Sequence, residues 1–134
     1  MTLRIGINGF GRTGRQVLRA WFQNHRDDFD IVAINGRTPV DIHTHLLRYD
    51  SDYGRFPAEI SDEDDSFTID GHRVMVFQDE NPSTINWGSI DIDVVIEATG
   101  AFADRDSAAQ HLRDSVRKVL ITAPGKGDDW TVIM

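Results

Sequence analysis

Ile5-Gly6-Ile7-Asn8-Gly9-Phe10-Gly11-Arg12-Thr13-Gly14-Arg15 decides the fold of this 134-residue chain. Gly9, Gly11 and Gly14 stand in the spacing G-x-G-x-x-G. In a strand-turn-helix unit the first glycine permits a tight turn and the second a close approach of backbone to a pyrophosphate. The third lets helix pack against strand without an intervening Cβ. The flanks fit such a unit. Leu3, Ile5 and Ile7 alternate as a strand, and Val17, Leu18, Trp21 and Phe22 follow at helical spacing. The first-turn amides of that helix, with the positive end of its dipole, would face the phosphates of a dinucleotide.

Outward from the motif, the helix fades near Asn24 and His25, and a second strand covers Ile31 to Ile34. The resulting βαβ unit should have a right-handed crossover. Pro39 suits the first turn of a next helix, which carries Ile42, Leu46, Leu47 and Tyr49, and Asp50 to Gly54 reads as a loop. Phe56 to Ile60 and Phe67 to Ile69 are expected as an antiparallel pair around the acidic turn 61–65, with Asp70-Gly71 turning into a strand from Arg73 to Phe77. Asn81-Pro82-Ser83 suggests a single helical turn closed near Trp87-Gly88. Ile92 to Ile96 has the near-continuous apolar character of a central parallel strand. A helix over Asp104 to Ser115, a strand at Val119 to Ile121 and another from Thr131 to Met134 complete the chain. The expected fold is α/β, a Rossmann-type doubly wound and mostly parallel sheet with a small antiparallel insert, in one domain over residues 1–134.

Composition narrows the function. Hydrophobic residues make up 40% and charged residues 27%, as in globular domains. No apolar run reaches the length of a membrane span and no secretory signal pattern opens the chain, so a cytoplasmic location and no membrane partner are expected. The absence of cysteine excludes disulfides, zinc-thiolate sites and a cysteine nucleophile within these residues. A formal charge of −8 disfavours a nucleic-acid surface. A phosphate ligand remains compatible, since Arg12, Arg15, Arg19 and Arg37 could form a local positive patch.

Roughly 20 residues beyond the glycines, an NAD site usually places Asp or Glu against the ribose hydroxyls. Here the segment is Asn35-Gly36-Arg37-Thr38, without a carboxylate. A 2′-phosphate would be repelled by an acid there and welcomed by arginine, which favours NADP over NAD. The alternative is a plain turn at Gly36 with a solvated Arg37. Thr99, Gly100 and Phe102 follow the central strand at the carboxyl edge where such sheets bind ligands, as does Thr122 after its own strand; a strand-ending turn with a core phenylalanine is the competing reading. Gly125-Lys126-Gly127 lacks the pattern of a Walker loop. His43 and His45, two positions apart on a helix, point in different directions and do not make a metal pair, and Asp62 to Asp65 read as a solvated hairpin tip.

Asn8-Gly9-Phe10-Gly11-Arg12, Tyr49-Asp50-Ser51-x-x-Gly54, Asn81-Pro82, Ala98-Thr99-Gly100-x-Phe102 and Ile121-Thr122-Ala123-Pro124 occur in order. Together they resemble phosphorylating glyceraldehyde-3-phosphate dehydrogenase along the whole chain, and Leu120 to Gly127 is most similar to its NADP-using photosynthetic and anabolic branch. The resemblance implies NAD(P)-dependent oxidation of the aldehyde to an acyl phosphate, or the reverse, in a homotetramer. By position, Asn8, Gly9, Phe10 and Gly11 would form the turn, and Arg12 and Thr13 would meet the pyrophosphate. Asn35, Gly36, Arg37 and Thr38 would surround the adenosine ribose. Glu80, Thr99, Gly100, Phe102 and Thr122 would line the rest of the cofactor groove. The acid usual in NAD-using members is Gly36 here. The family's catalytic cysteine, histidine, phosphate sites and nicotinamide-binding asparagine would all lie beyond Met134, so no catalytic residue is assigned. The chain then resembles a cofactor-binding domain expected to be inactive alone, with its catalytic domain in a longer parent chain and a tendency to self-associate. Related alternatives are the cofactor domain of an erythrose-4-phosphate dehydrogenase and a non-catalytic nucleotide-binding or scaffolding module.

Overall fold

The computed structural model describes residues 3–25, 27–50, 54–56, 58–81, 84–99, 109–122 and 130–133, without the side chains of 25, 50, 54, 122 and 130–133. Strand β1 (Leu3–Asn8) leads through the glycine turn into helix α1 (Arg12–Ala20), which ends in a wider π-type turn over Trp21–His25. β2 (Phe29–Asn35) then pairs parallel with β1, completing the expected βαβ unit. Helix α2 (Val40–Arg48) follows, with Pro39 as its N-cap and not inside its first turn.

Two short antiparallel strands, β3 (Tyr49–Asp50) and β4 (Gly54–Arg55), take in Tyr49, read as part of the helix, and Asp50 and Gly54, read as the ends of a loop. β5 (Ile60–Asp62), β6 (Ser66–Ile69) and β7 (His72–Phe77) form an antiparallel meander. The first of these begins at Ile60, whereas the sequence places a strand from Phe56; Ser61 and Asp62, expected in the acidic turn, belong to the ladder instead. Phe56 is buried against Phe22 with ring centroids 5.2 Å apart, so its apolarity reports packing under α1 and not strand pairing. The tight turn from β6 to β7 has Asp70 at φ 50° and Gly71 at φ 83°, as a two-residue hairpin requires.

β8 (Val94–Glu97), β9 (Lys118–Thr122) and β10 (Trp130–Ile133) complete an eight-stranded sheet in the order β10-β9-β8-β1-β2-β7-β6-β5. The five central strands run parallel, and antiparallel strands lie at both ends. Between β8 and β9, the described residues show a 3-10 turn at Ala109–His111 and Asp114 at φ 55°. The predicted helix therefore does not continue to Ser115, and residues 104–108 lie outside the described set. Asn81-Pro82-Ser83 falls partly outside it as well, while a 3-10 turn over Trp87–Ile90 stands where that segment was expected to close.

The sheet separates two apolar layers. Ile5, Ile7, Ile31, Ile34, Val94 and Ile96 face one layer with Leu18, Trp21 and Leu47 from the helices. Val32, Ala33, Val95 and Val119 face the other, with Ile85, Trp87 and Val116. Burial on both faces explains the near-continuous apolar runs of β2 and β8. Chain order runs outward from β1 through β2 to β7, then crosses back to β8 and β9 on the other side of β1. That reversal opens a crevice at the carboxyl ends of β1, β2 and β8.

Candidate functional site

The crevice is a groove of about 520 Å³, bordered by the turn after β1, the 35–38 segment, α2 and Ala98-Thr99. Its floor begins with the glycines. Gly9 adopts φ 98°, a conformation that favours glycine, and a Cβ there would lie 2.8 Å from the Thr99 amide nitrogen. A Cβ on Gly14 would overlap the Gly9 carbonyl oxygen, so this glycine lets α1 close onto the turn. A Cβ on Gly11 would meet nothing within 4 Å, because that side of the backbone opens to the groove. Gly11 is also the N-cap of α1 and has no side chain with which to cap the helix. A pyrophosphate fits this arrangement, since the free approach at Gly11 leads to first-turn amides and the positive end of the helix dipole.

Below the turn lies a buried polar network centred on Glu97, a carboxylate only 1% exposed. Its Oε1 accepts from Asn8 Nδ2 at 2.6 Å and from His111 Nε2 at 2.8 Å. Its Oε2 accepts from the Thr99 amide at 3.0 Å and the Thr99 hydroxyl at 2.6 Å. Trp87 Nε1 donates to His111 Nδ1 at 3.1 Å. An indole N–H only donates, so Nδ1 accepts and the ring hydrogen facing Glu97 sits on Nε2. Burial alone would raise the Glu97 carboxyl, but the donors from His111, Thr99 and Asn8 together hold it below its usual value. Asn35 continues the network: its Nδ2 donates to Asn8 Oδ1 at 2.7 Å and to the Asp79 carbonyl at 2.8 Å, while its Oδ1 accepts from the Asp79 amide. The ends of β1, β2 and β8 are thereby tied to one another and to the segment after β7.

Of the residues singled out in the sequence, Asn8, Gly9, Phe10, Gly11, Asn35, Gly36, Arg37, Thr38, Glu80 and Thr99 come together around the groove. The side chains of Asn8 and Asn35 are committed to the network, so they shape the wall. Arg12 is exposed, and neither it nor Thr13 lines the groove; both sit where backbone amides face the turn. Gly100 and Phe102 lie outside the described residues, as does the side chain of Thr122. Arg19 does not join a positive patch. It is 4% exposed, its guanidinium donates to the Leu47 carbonyl at 2.6 Å, and it lies 5.1 Å from the centroid of Phe56. Its helical phase relative to Leu18 puts it on the core face, which charge alone conceals.

Sequence reading missed His43, Leu46 and Asp79 as groove residues, and Glu97, His111 and Trp87 as its support, whereas Arg15, read as part of a positive patch, does line the groove. His43 and His45 do diverge: His43 is buried beside the groove and His45 is exposed. No cluster of three metal-ligating side chains occurs among the described residues. No helix of the described residues is long and apolar enough to cross a membrane.

A switch-point groove over a G-x-G-x-x-G turn and a helix N-terminus defines a dinucleotide-binding module. The chain belongs to the family of the glyceraldehyde 3-phosphate dehydrogenase NAD binding domain, whose model matches residues 3–105. It is 44% identical to the chromosomal glyceraldehyde-3-phosphate dehydrogenase of Cupriavidus necator over 135 aligned positions, covering 99% of this chain and 40% of that protein. Identity to the glyceraldehyde-3-phosphate dehydrogenase of Geobacillus stearothermophilus is 42%, covering 100% of this chain and 39% of the relative. With the chloroplastic glyceraldehyde-3-phosphate dehydrogenase A of Nicotiana tabacum it is 44%, over 98% and 34%. The chain thus spans about two fifths of the length of the bacterial relatives it matches.

Proposed function

We propose that these 134 residues hold the dinucleotide for a phosphorylating glyceraldehyde-3-phosphate dehydrogenase, and that they favour NADP over NAD. The observation that carries the cofactor choice is the ribose end of the groove, where Gly36 replaces an acid and Arg37 and Thr38 stand beside it. Without a carboxylate at 36, a 2′-phosphate meets no like charge from that position, and the acids that border the groove are Asp79 and Glu80 after β7. A guanidinium contact contributes about 1.5–3 kcal/mol when partly shielded. Arg37 is exposed, so screening reduces that value and the preference should be modest and strongest at low salt. Similarity to a chloroplastic relative supports the same reading.

The chemistry of the whole enzyme is carried by residues these 134 do not include. They contain no cysteine, so a thiohemiacetal cannot form on them and the chain should bind without turning over. Its working partner would be a catalytic domain in a longer parent chain, within a self-associating enzyme acting in the cytoplasm.

Calorimetry with NADP, NAD and ADP-ribose at low ionic strength tests the reading. Binding of all three, with NADP tighter than NAD by a margin that Arg37→Leu narrows, is the expected result. No heat and no thermal shift with any of them would sink the binding claim, and equal affinities for NADP and NAD would sink the cofactor choice. Gly36→Asp is a poorer probe of this loop, because a Cβ at 36 would lie 2.5 Å from the His43 ring and displace it.

A further inference from the structure

The ring of His43 occupies the space that a side chain at position 36 would need. A Cβ built on Gly36 would lie 2.5 Å from His43 Cε1 and 2.6 Å from Nε2. In this fold the residue at the end of β2 reads the adenosine ribose. Here that place is taken by an imidazole delivered from α2, at the border of the groove. The ring is fixed on two sides. Phe10 meets it edge-on at 5.5 Å between centroids and 83° between planes. The Thr38 hydroxyl lies 3.3 Å from Nδ1 and 3.2 Å from Nε2. His43 is 4% exposed and borders the groove at its ribose end.

We propose that His43 determines cofactor specificity, its imidazole taking up a proton when a 2′-phosphate enters the groove and then pairing with that phosphate. This rests on the NADP reading and adds to it the group that responds to the phosphate. The balance is simple: a proton moves from solvent to a ring nitrogen, and the imidazolium donates it as a hydrogen bond to a phosphate oxygen with no covalent change. The charged groups around the same groove are Arg15 from α1, Arg37 from the 36–38 loop, and Asp79 and Glu80 from the segment after β7; Asp41, His45 and Arg48 lie on α2 itself. Burial, and next the Arg15 charge, push His43 below its ordinary value, so the ring is neutral near neutral pH before ligand binds. A dianion brought against it reverses that balance. With NAD the neutral ring exchanges a hydrogen bond with the 2′-hydroxyl, and no proton is taken up.

The test is calorimetry of wild type, His43→Gln and Arg37→Leu with NADP and with NAD, each in two buffers of different ionisation enthalpy at about pH 7.5. The ligand phosphate, with a second pKa of about 6, is already dianionic there and does not itself take up a proton. Net proton uptake with NADP and none with NAD is expected for wild type. His43→Gln keeps an amide in the same place but cannot titrate, so it should lose the uptake and about tenfold of the NADP-to-NAD affinity ratio. Arg37→Leu should weaken NADP yet still take up the proton. NADP preference without proton uptake in wild type overturns the role of His43 and leaves the NADP reading standing. Absence of any NADP preference overturns both. The wild-type measurement decides the matter even if His43→Gln fails to fold.

Discussion

Glu97 shows how one buried charge can organise a site. Four donors converge on its carboxylate from β1, from Thr99 just beyond β8 and from the 109–111 turn. Glu97→Gln would turn an acceptor into a donor facing other donors, and is expected to cost about 3 kcal/mol. The folded carboxyl lies below its ordinary value, so its stabilisation is complete above the unfolded value and fades as pH falls through the folded one. Urea melts should therefore show a large gap between wild type and Glu97→Gln at neutral pH that narrows below about pH 4. A gap that does not change with pH would mean the charge is not the stabilising feature. At this scale the glycines were legible, because Gly9 and Gly14 do jobs that only their own turn dictates. The partnership of Gly36 with His43 was not. It depends on how α2 docks, and a sequence read for a strand-end acid has no reason to search a later helix for the substitute.

Among elements, the best-read were those whose apolar period matched a single environment. β1, α1, β2, β8 and β9 all stand where the pattern placed them. Failures came where apolar residues serve packing without pairing, as at Phe56, or where a turn replaces a helix, as around His111 and Asp114. The 3-10 turns at Trp87–Ile90 and Ala109–His111 carry little periodicity, yet they cover one face of the sheet and deliver Trp87 and His111 to the network. Trp87→Phe retains a ring to pack edge-on against Phe77, as the indole does at 5.7 Å, but removes the N–H that His111 accepts. The buried Nδ1 would be left without its donor, at about 1–3 kcal/mol. Amide exchange should then quicken at Val119 and Val95, beside these turns, more than in the β5–β7 meander. Uniform quickening across the sheet would indicate a global loss instead of a local loosening of this cap.

For the molecule as a whole, the two ends of the sheet differ in a way that bears on association. An edge strand presents unpaired backbone groups to any other chain, and charged residues are the usual guard. The β5 end is guarded: Asp62, Glu63, Asp64 and Asp65 surround its turn, and Asp62 also pairs with Arg48 at 3.0 Å. The β10 end, Trp130–Ile133, carries no charge in its four residues, and its outer side has no strand against it among the described residues. Self-association should therefore run through β10 and spare β5. The expected behaviour is a concentration-dependent rise in mass by sedimentation velocity, suppressed by Thr131→Lys and unaffected by Ser61→Lys. Because none of the described residues that line the groove lies on β9 or β10, Thr131→Lys should leave dinucleotide affinity within about twofold. Association that survives Thr131→Lys and yields to Ser61→Lys would place the contact at the acidic end. In that case edge-strand charge would not be what directs assembly.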